Sequence, residues 1–370
     1  MSDPRIRVGI LGATGTVGQK LLARLAGHPW FEVTALAASE RSVGKRYREA
    51  VHWLEPTPIP DAIADLPVAP VCPPLAADIV LSALDADTAS TVEPAFARAG
   101  SAVVSNASAH RGHPRVPLLV PEVNPEHLEL LAEQEFRPGF IVTNPNCSAT
   151  GLVCALAPLV RTFGVTEVHV TTLQAVSGAG YPGNAALDII GNVVPLIAGE
   201  EEKIESETRK VLGRIVAGRI ETAEMRISAQ ANRVPVLDGH LLCVSARLGR
   251  RAPIAEVRAA FAGWQPPREV AELPSAPARL LQVFDDDASP QPRLHVALGA
   301  GMTVSVGRLR PCPLLDVRFV VLVHNTVRGA AGAAILNAEL LAQRALLPAP
   351  AHDGDGATRL RQTARDARVP

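Results

Sequence analysis

No apolar run in the 370-residue chain approaches the ~18 residues that a membrane span needs. The first ten residues, MSDPRIRVGI, carry neither an apolar signal core nor a small-residue cleavage site. Both absences point to a cytoplasmic protein. An excess of one charge is missing too: 36 Lys and Arg stand against 37 Asp and Glu, a formal charge of -1. Without bulk basicity the chain reads as neither a nucleic-acid coat nor a polybasic membrane binder. Cysteine is scarce, and Cys72, Cys147, Cys154, Cys243 and Cys312 form no CxxC pair. An odd, scattered set excludes a disulfide framework and a cysteine-rich zinc site, and no metal site is expected. No solenoid-type repeat is visible.

What the chain does have is material for a core. Hydrophobic residues make up 47% and charged residues 20%, which excludes wholesale disorder. The length exceeds one simple core and suggests two domains. Over the first 146 residues short apolar runs alternate with helical patterns. Candidate strands are 5–11, 31–37, 78–84, 102–106, 118–124 and 140–143, with helices at 17–26 and 89–98. Runs rich in Val, Ile and Leu that do not alternate are typical of parallel strands covered on both faces. The rhythm predicts a Rossmann-like, doubly wound sheet.

After Asn146 the pattern changes. A helix is predicted over 147–161, then strands at 166–175, 225–236, 241–248, 294–297, 303–308 and 317–324. Polar helices at 183–197 and 200–212 fall between the first two strands. Successive strands with helices on one face predict a second, α+β domain. An Ala-rich helix at 329–345 follows and is expected to return to the first domain. The expected division is 1–146, 147–323, a returning segment 324–347 and a loose tail 348–370.

Strand 5–11 runs into Gly12-Ala13-Thr14-Gly15-Thr16-Val17-Gly18 and then a helix. Glycines at this spacing permit a tight turn and close backbone approach to a pyrophosphate, and the helix start supplies N–H groups. Gly12, Thr14, Gly15, Thr16, Val17 and Gly18 are therefore expected to bind a dinucleotide. After the second strand comes Ser39-Glu40-Arg41-Ser42 instead of an acid alone. Ser39, Arg41 and Ser42 suit a 2′-phosphate, which points to NADP(H) over NAD(H).

Cys147 follows Asn144-Pro145-Asn146 at a strand-to-helix junction. A helix start favours thiolate and offers N–H groups to an oxyanion, so Cys147 is the candidate nucleophile. Cys154, two turns inward, reads as core. His240 follows an Asp238-Gly239 turn between two strands and is the candidate acid/base.

Several motifs then coincide in order over roughly residues 5–345. They are GATGTVGQ (12–19), SNASAHR (105–111), PEVN (121–124), NPNCS (144–148), QAVSGAGYPG (174–183), EEEKIE (200–205), RVPVLDGH (233–240) and HNTVRGAAGA (324–333). With them the chain resembles aspartate-β-semialdehyde dehydrogenase, nearer the archaeal/fungal branch than the common bacterial one. The resemblance implies Cys147 as the acyl-forming nucleophile, His240 as acid/base and Gln174 as the residue orienting substrate. It implies Arg233 for the substrate carboxylate, Glu200 for its ammonium, Arg111 and Lys203 for phosphate, and Asn146 beside the acyl group. Asn106 and Ser108 lie near that phosphate site. Ser177, Gly178 and Asn325 are implied on the cofactor side. Three successive acids leave open which of Glu200, Glu201 and Glu202 meets substrate.

The implied reaction is reductive dephosphorylation of L-4-aspartyl phosphate through a cysteine thioester, toward lysine, threonine, methionine and isoleucine. A homodimer or homotetramer is implied. The rival readings are a malonyl-CoA or succinyl-CoA reductase of the same superfamily and a non-catalytic NADP-binding sensor. Arg233 with an acid at Glu200 favours an amino-acid-like substrate over the first. The presence of both Cys147 and His240 argues against the second. If Arg41 meets a 2′-phosphate, Arg41→Ala weakens NADPH binding about tenfold and leaves NADH binding unchanged, as titration of cofactor fluorescence reads directly.

Overall fold

The computed structural model describes residues 5–348, so the predicted tail lies, Pro348 apart, outside the described residues. The first sheet contains β1 (Ile6–Leu11), β2 (Phe31–Ala37), β3 (Val68–Ala69), β4 (Ile79–Ser82), β5 (Ala102–Ser105) and β6 (Phe140–Thr143). They are parallel and run in spatial order β3-β2-β1-β4-β5-β6. Every residue of β4, β5 and β6 is buried, as two-sided cover requires. Helices α1 (Thr16–Leu25) and α2 (Ala86–Arg98) supply part of that cover. Asp85 caps α2, its carboxylate accepting from Thr88 N–H at 2.9 Å. The strand order reverses between β1 and β4, which opens a crevice at their carboxyl ends.

From β6 the chain passes through Asn144-Pro145-Asn146 into α3 (Cys147–Phe163), a helix buried along most of its length. Next come β7 (Val165–Gln174), α4 (Glu200–Val211), a hairpin of β8 (Arg214–Val216) and β9 (Arg219–Glu221), β10 (Arg226–Arg233) and β11 (His240–Leu248). After α5 (Ile254–Ala262) lie β12 (Leu281–Val283), β13 (Val304–Pro311) and β14 (Val317–Val323). The second sheet is mixed, in order β10-β7-β11-β14-β13-β12. Its inner face shares one apolar core with α3, while the other face alternates outward, as in β7. Gly151 lets α3 lie close on β14: a Cβ there would sit 2.7 Å from a methyl of Val323. The last helix, α6 (Gly332–Gln343), packs in the core of the first sheet with β1 and α1. There Glu339 pairs with His28 Nε2 at 2.8 Å.

Three predicted elements are corrected. Residues 118–124 make one bridge to Thr143 and then turn. The Asn124 side chain accepts from Val120 N–H and donates to Leu118 O, folding the segment back on itself. Residues 183–197 hold only the short helix Ala186–Ile189, since Gly183 and Gly191 take left-handed φ of 78° and 70°. Residues 294–297 are not a strand: Pro292 opens the short helix Pro292–His295, and left-handed Gly299 and Ala300 follow.

One ion pair fastens the two sheets where the chain comes home. Arg328 lies in the π-helical turn Val327–Ala331 that follows β14. Its two Nη atoms donate to both oxygens of Glu122 at 2.6 and 2.7 Å, and both side chains are almost wholly buried. Nη2 also lies 3.5 Å from Cys154 Sγ on α3. Glu122 raises the guanidinium's pKa against the effect of burial. A fork-to-fork pair in a dry interior is well formed, but losing one partner leaves a charge stranded. Glu122→Ala is expected to cost about 3–5 kcal/mol in denaturant unfolding, and adding Arg328→Met should recover much of that loss.

Candidate active site

The glycine loop fits a pyrophosphate by its own geometry. Gly12 has φ of 74°, and a Cβ there would meet Ala83 O at 2.6 Å. A Cβ on Gly18 would lie 2.2 Å from Gly12 O. Both glycines are thus required to bring the turn tight against β4 and α1. Gly15 is exposed and starts α1 without a side-chain cap, so the first N–H groups of α1 face a ligand unmasked by any cap. Thr14 O accepts from Gln19, and Val17 packs against the first core. Gly12 and Ala13 N–H donate to Ala37 O, which sets the loop beside the turn after β2. In that turn Ser39 and Arg41 are exposed, while Ser42 is largely covered and its N–H donates to Ser39 O.

A second turn reaches the same crevice. The short 3-10 helix Val176–Ala179 follows β7, and Gly180 after it lies against Thr16. Asn325 ties this turn to the next: its Oδ1 accepts from Gly239 N–H at 2.9 Å and its Nδ2 donates to Ser177 Oγ at 2.8 Å. Gly178 lies against Arg233 and His240, where a Cβ would sit 2.9 Å from Arg233 Nη1 and 3.2 Å from His240 Nε2.

Cys147 is the first residue of α3 and is half-buried. Asn146 caps that helix, its Oδ1 accepting from Ser148 and Ala149 N–H at 2.9 and 3.1 Å. Its Nδ2 donates to Glu200 Oε1 at 2.9 Å, and Gln174 Nε2 donates to the same oxygen at 2.9 Å. Among the three acids, then, Glu200 is the one that faces this cluster. Glu201 instead accepts from Ala231 N–H, and Glu202 is exposed. Gly329 closes over the cysteine: a Cβ there would lie 2.5 Å from Cys147 Cβ and 2.8 Å from its Cα.

The thiol differs from the expected thiolate. Burial, and then the Glu200 carboxylate, push it up to about 12, with Arg111, the Ser148 N–H and Arg233 pulling the other way. The physical reason is local: the sulfur is desolvated, and the nearest acid opposes a second negative charge.

His240 opens β11, wholly buried. Its Nδ1 accepts from Ala175 N–H at 3.0 Å, which fixes the neutral ring's proton on Nε2. Nε2 has no partner among the described residues. Burial, then the Arg233 and His324 charges, lower this imidazole to about 3. Arg233 is buried at the end of β10, its Nη1 donating to Ala175 O at 2.7 Å.

Arg111 joins the cluster through two residues that the sequence reading missed. Glu207 accepts from Arg111 Nη1 at 3.2 Å and from Asn146 N–H at 2.5 Å. Lys210 Nζ donates to the carbonyls of Arg111, His113 and Val116 at 2.6, 2.6 and 2.9 Å. Positions 200, 203, 207 and 210 fall on one face of α4, and that spacing was the available signal. Lys203, half-buried on this face, makes no ion pair or hydrogen bond with the described residues. Asn106 O accepts from Arg111 Nη2 at 2.6 Å. The structure thus gathers Cys147, Asn146, Gln174, Glu200, Arg233, His240 and Arg111 at the junction of the sheets, with Ser177, Gly178 and Asn325 bordering them. Ser39, Arg41 and Ser42 stand apart, at the far end of β2. Among the described residues no group of His, Cys, Asp and Glu is arranged to hold a metal ion.

Comparison with known proteins follows the same layout. The family model "Semialdehyde dehydrogenase, NAD binding domain" matches residues 7–131, and "Semialdehyde dehydrogenase, dimerisation domain" matches 156–328. An aspartate-semialdehyde dehydrogenase of Archaeoglobus fulgidus is 48% identical over 347 residues, covering 93% of this chain and 100% of the relative. That of Cryptococcus neoformans is 47% identical over 360 residues, with 93% and 99% covered. The crystal structure of aspartate semialdehyde dehydrogenase with NADP from Candida albicans superposes with a TM-score of 0.86 at 43% identity. It covers 92% of this chain and 100% of that one.

The charge arrangement around the sulfur has a measurable consequence. Glu200→Gln removes the carboxylate that raises the thiol, so iodoacetamide should alkylate Cys147 about three to ten times faster at pH 8. An unchanged rate would show that Glu200 does not set the thiol's protonation.

Proposed function

The chain belongs to the aspartate-semialdehyde dehydrogenase family, and we propose that it converts L-4-aspartyl phosphate to L-aspartate 4-semialdehyde and phosphate through a thioester on Cys147. It is an NADP-dependent oxidoreductase of amino-acid biosynthesis. Its relatives favour this reaction over a CoA-thioester reductase or a silent sensor. The observation that carries the site reading is Cys147 at the start of α3, faced by one acid and two guanidinium groups, with the unpartnered Nε2–H of His240 beside one of these, Arg233.

The substrate brings an ammonium, a carboxylate and a phosphate, and the site offers a counter-charge to each. Glu200 takes the ammonium, Arg233 the carboxylate, and Arg111 with Lys203 the phosphate. Burial and then Glu200 hold the thiol up, and pairing Glu200 with the ammonium removes the second of these, so substrate binding shifts the thiol toward thiolate. The Cys147 thiol gives its proton to solvent water, and the sulfur then attacks the acyl carbon. The carbonyl oxygen gains negative charge, and His240 Nε2–H donates to it. Collapse releases phosphate against Arg111 and Lys203 and leaves the thioester. Gln174 and Asn146, both anchored on Glu200, orient the acyl group beside the sulfur.

NADPH, when bound, would supply the hydride that reduces the thioester. Gly12, Thr14, Gly15, Thr16, Val17 and Gly18 would hold its pyrophosphate, Ser39, Arg41 and Ser42 its 2′-phosphate side, and Ser177, Gly178 and Asn325 would border its reactive end. His240 Nε2–H donates again to the oxyanion formed on the acyl carbon, and the sulfur leaves as the aldehyde forms. In reverse the same steps are traversed, with phosphate attacking the thioester and the cysteine sulfur leaving.

We divide the chain into a cofactor domain, 1–146, and a catalytic and dimerisation domain, 147–323, with 324–347 returning to the first. The packing of α6 in the first core supports that division. Subunits pair through the second domain as a homodimer or homotetramer. The dimerisation match and the exposed apolar side chains of Leu187 (94%), Ile190 (72%) and Leu196 (66%) support pairing. No helix among the described residues is long and apolar enough to cross a membrane. A mechanism that needs a reduced thiol suits the cytoplasm.

The test supplies L-aspartate 4-semialdehyde, phosphate and NADP⁺ and follows NADPH. Phosphate-dependent NADPH formation is expected from the parent protein. Cys147→Ala should lose at least about 10³-fold in rate while keeping NADPH binding. Near-normal turnover in that variant removes Cys147 from the mechanism.

A further inference from the structure

The mechanism uses the first turn of α4 and leaves the rest of its inward face unexplained. Glu207 is buried and stands between two parts of the site. One of its oxygens accepts from the backbone N–H of Asn146, the residue directly before Cys147, at 2.5 Å. The other accepts from Arg111 Nη1 at 3.2 Å. A single carboxylate thus links the phosphate-site cation to the chain that carries the nucleophile.

The remaining holds on Arg111 come from the same neighbourhood. Nη2 donates to Asn106 O, and Lys210 on α4 grips the backbone carbonyl of Arg111 itself. Arg111 Nε is buried without a partner among the described residues. A guanidinium has five N–H donors in a rigid fork, so fixing two edges leaves the third aimed by its neighbours. Glu207 also offsets the positive charge of Arg111. An anion arriving there competes with a carboxylate already in contact.

We propose that Glu207 is a positioning residue with two effects: it fixes Arg111 relative to Cys147, and it weakens the hold of Arg111 on phosphate so that the product leaves. This rests on the reading that Arg111 meets phosphate. The two effects separate by variant. Glu207→Gln removes the charge. Glu207→Asp keeps the charge on a side chain one methylene shorter, which cannot bridge Arg111 and Asn146 together.

The experiment measures kcat and the KM for inorganic phosphate in the aldehyde-oxidising direction, on the full chain, with thermal unfolding alongside. Glu207→Gln is expected to lower the phosphate KM about threefold and kcat about tenfold. Glu207→Asp is expected to lower kcat at least about fivefold with the phosphate KM within about twofold of the parent's. Glu207→Gln with both parameters within about twofold of the parent overturns the inference. For Glu207→Gln, so does a phosphate KM that is unchanged or raised while kcat falls, because loss of the charge then has no effect on the hold on phosphate. If Glu207→Gln does not fold, Glu207→Asp decides: the expected loss of kcat at an unchanged unfolding temperature supports the proposal, and a parental kcat overturns it. A parent enzyme that needs no phosphate removes the anion reading of Arg111 and this inference with it, whereas a phosphate-dependent parent with an indifferent Glu207 removes this inference alone.

Discussion

The close approach of Gly329 to Cys147 constrains everything around it. No side chain fits between the returning segment after β14 and the first turn of α3. The backbone there has no room for a Cβ, and the Arg328–Glu122 pair, adjacent in sequence to Gly329, anchors it. A bidentate ion pair has a narrow geometric optimum, and in a dry interior any departure exposes unpaired charge. Stability and placement of the reacting sulfur thus share one interaction, which explains an arginine where an apolar residue would pack more simply.

Much of the fold was legible because its signals are local. The strand, glycine loop and helix at 6–25 follow one another without interruption, and Gly12 and Gly18 have steric reasons that show in their neighbours. Buried parallel strands announce themselves as apolar runs. The misread segments failed where a side chain or a left-handed residue overrode the pattern. Leu118 to Val123 looks like a strand, but Asn124 offers the backbone a closer partner than any neighbouring strand. Residues 183–197 are broken by glycines whose φ a helix forbids.

Legibility of the site divided along similar lines. Cys147 and His240 stand out because each follows a turn motif at the end of an element. Glu200, Lys203, Arg111 and Arg233 acquired meaning only through the order of motifs. Glu207 and Lys210 stayed invisible, since acids and bases three and four apart on a helix ordinarily describe a solvated face. Burial decides the matter, and burial is set by partners about 60 to 100 residues away in sequence, such as Asn146 at 61 and Arg111 at 99. A polar helix that turns its charged face inward looks the same in sequence as one that turns it out.

The protonation states within the site form a consistent set. In the free site the thiol is raised because the sulfur is desolvated and Glu200 is near, and the imidazole is lowered because it too is desolvated and Arg233 is near. An ammonium on Glu200 removes the electrostatic obstacle at the sulfur, whereas a carboxylate on Arg233 takes up a charge that favours thiolate. Activation of the sulfur therefore comes from the Glu200 contact, and the Arg233 contact serves selectivity. The unpartnered Nε2–H of His240 fits this order of events: a buried donor left without an acceptor carries a cost that the carbonyl oxygen of a correctly seated substrate relieves, and the relief is greatest when that oxygen bears negative charge.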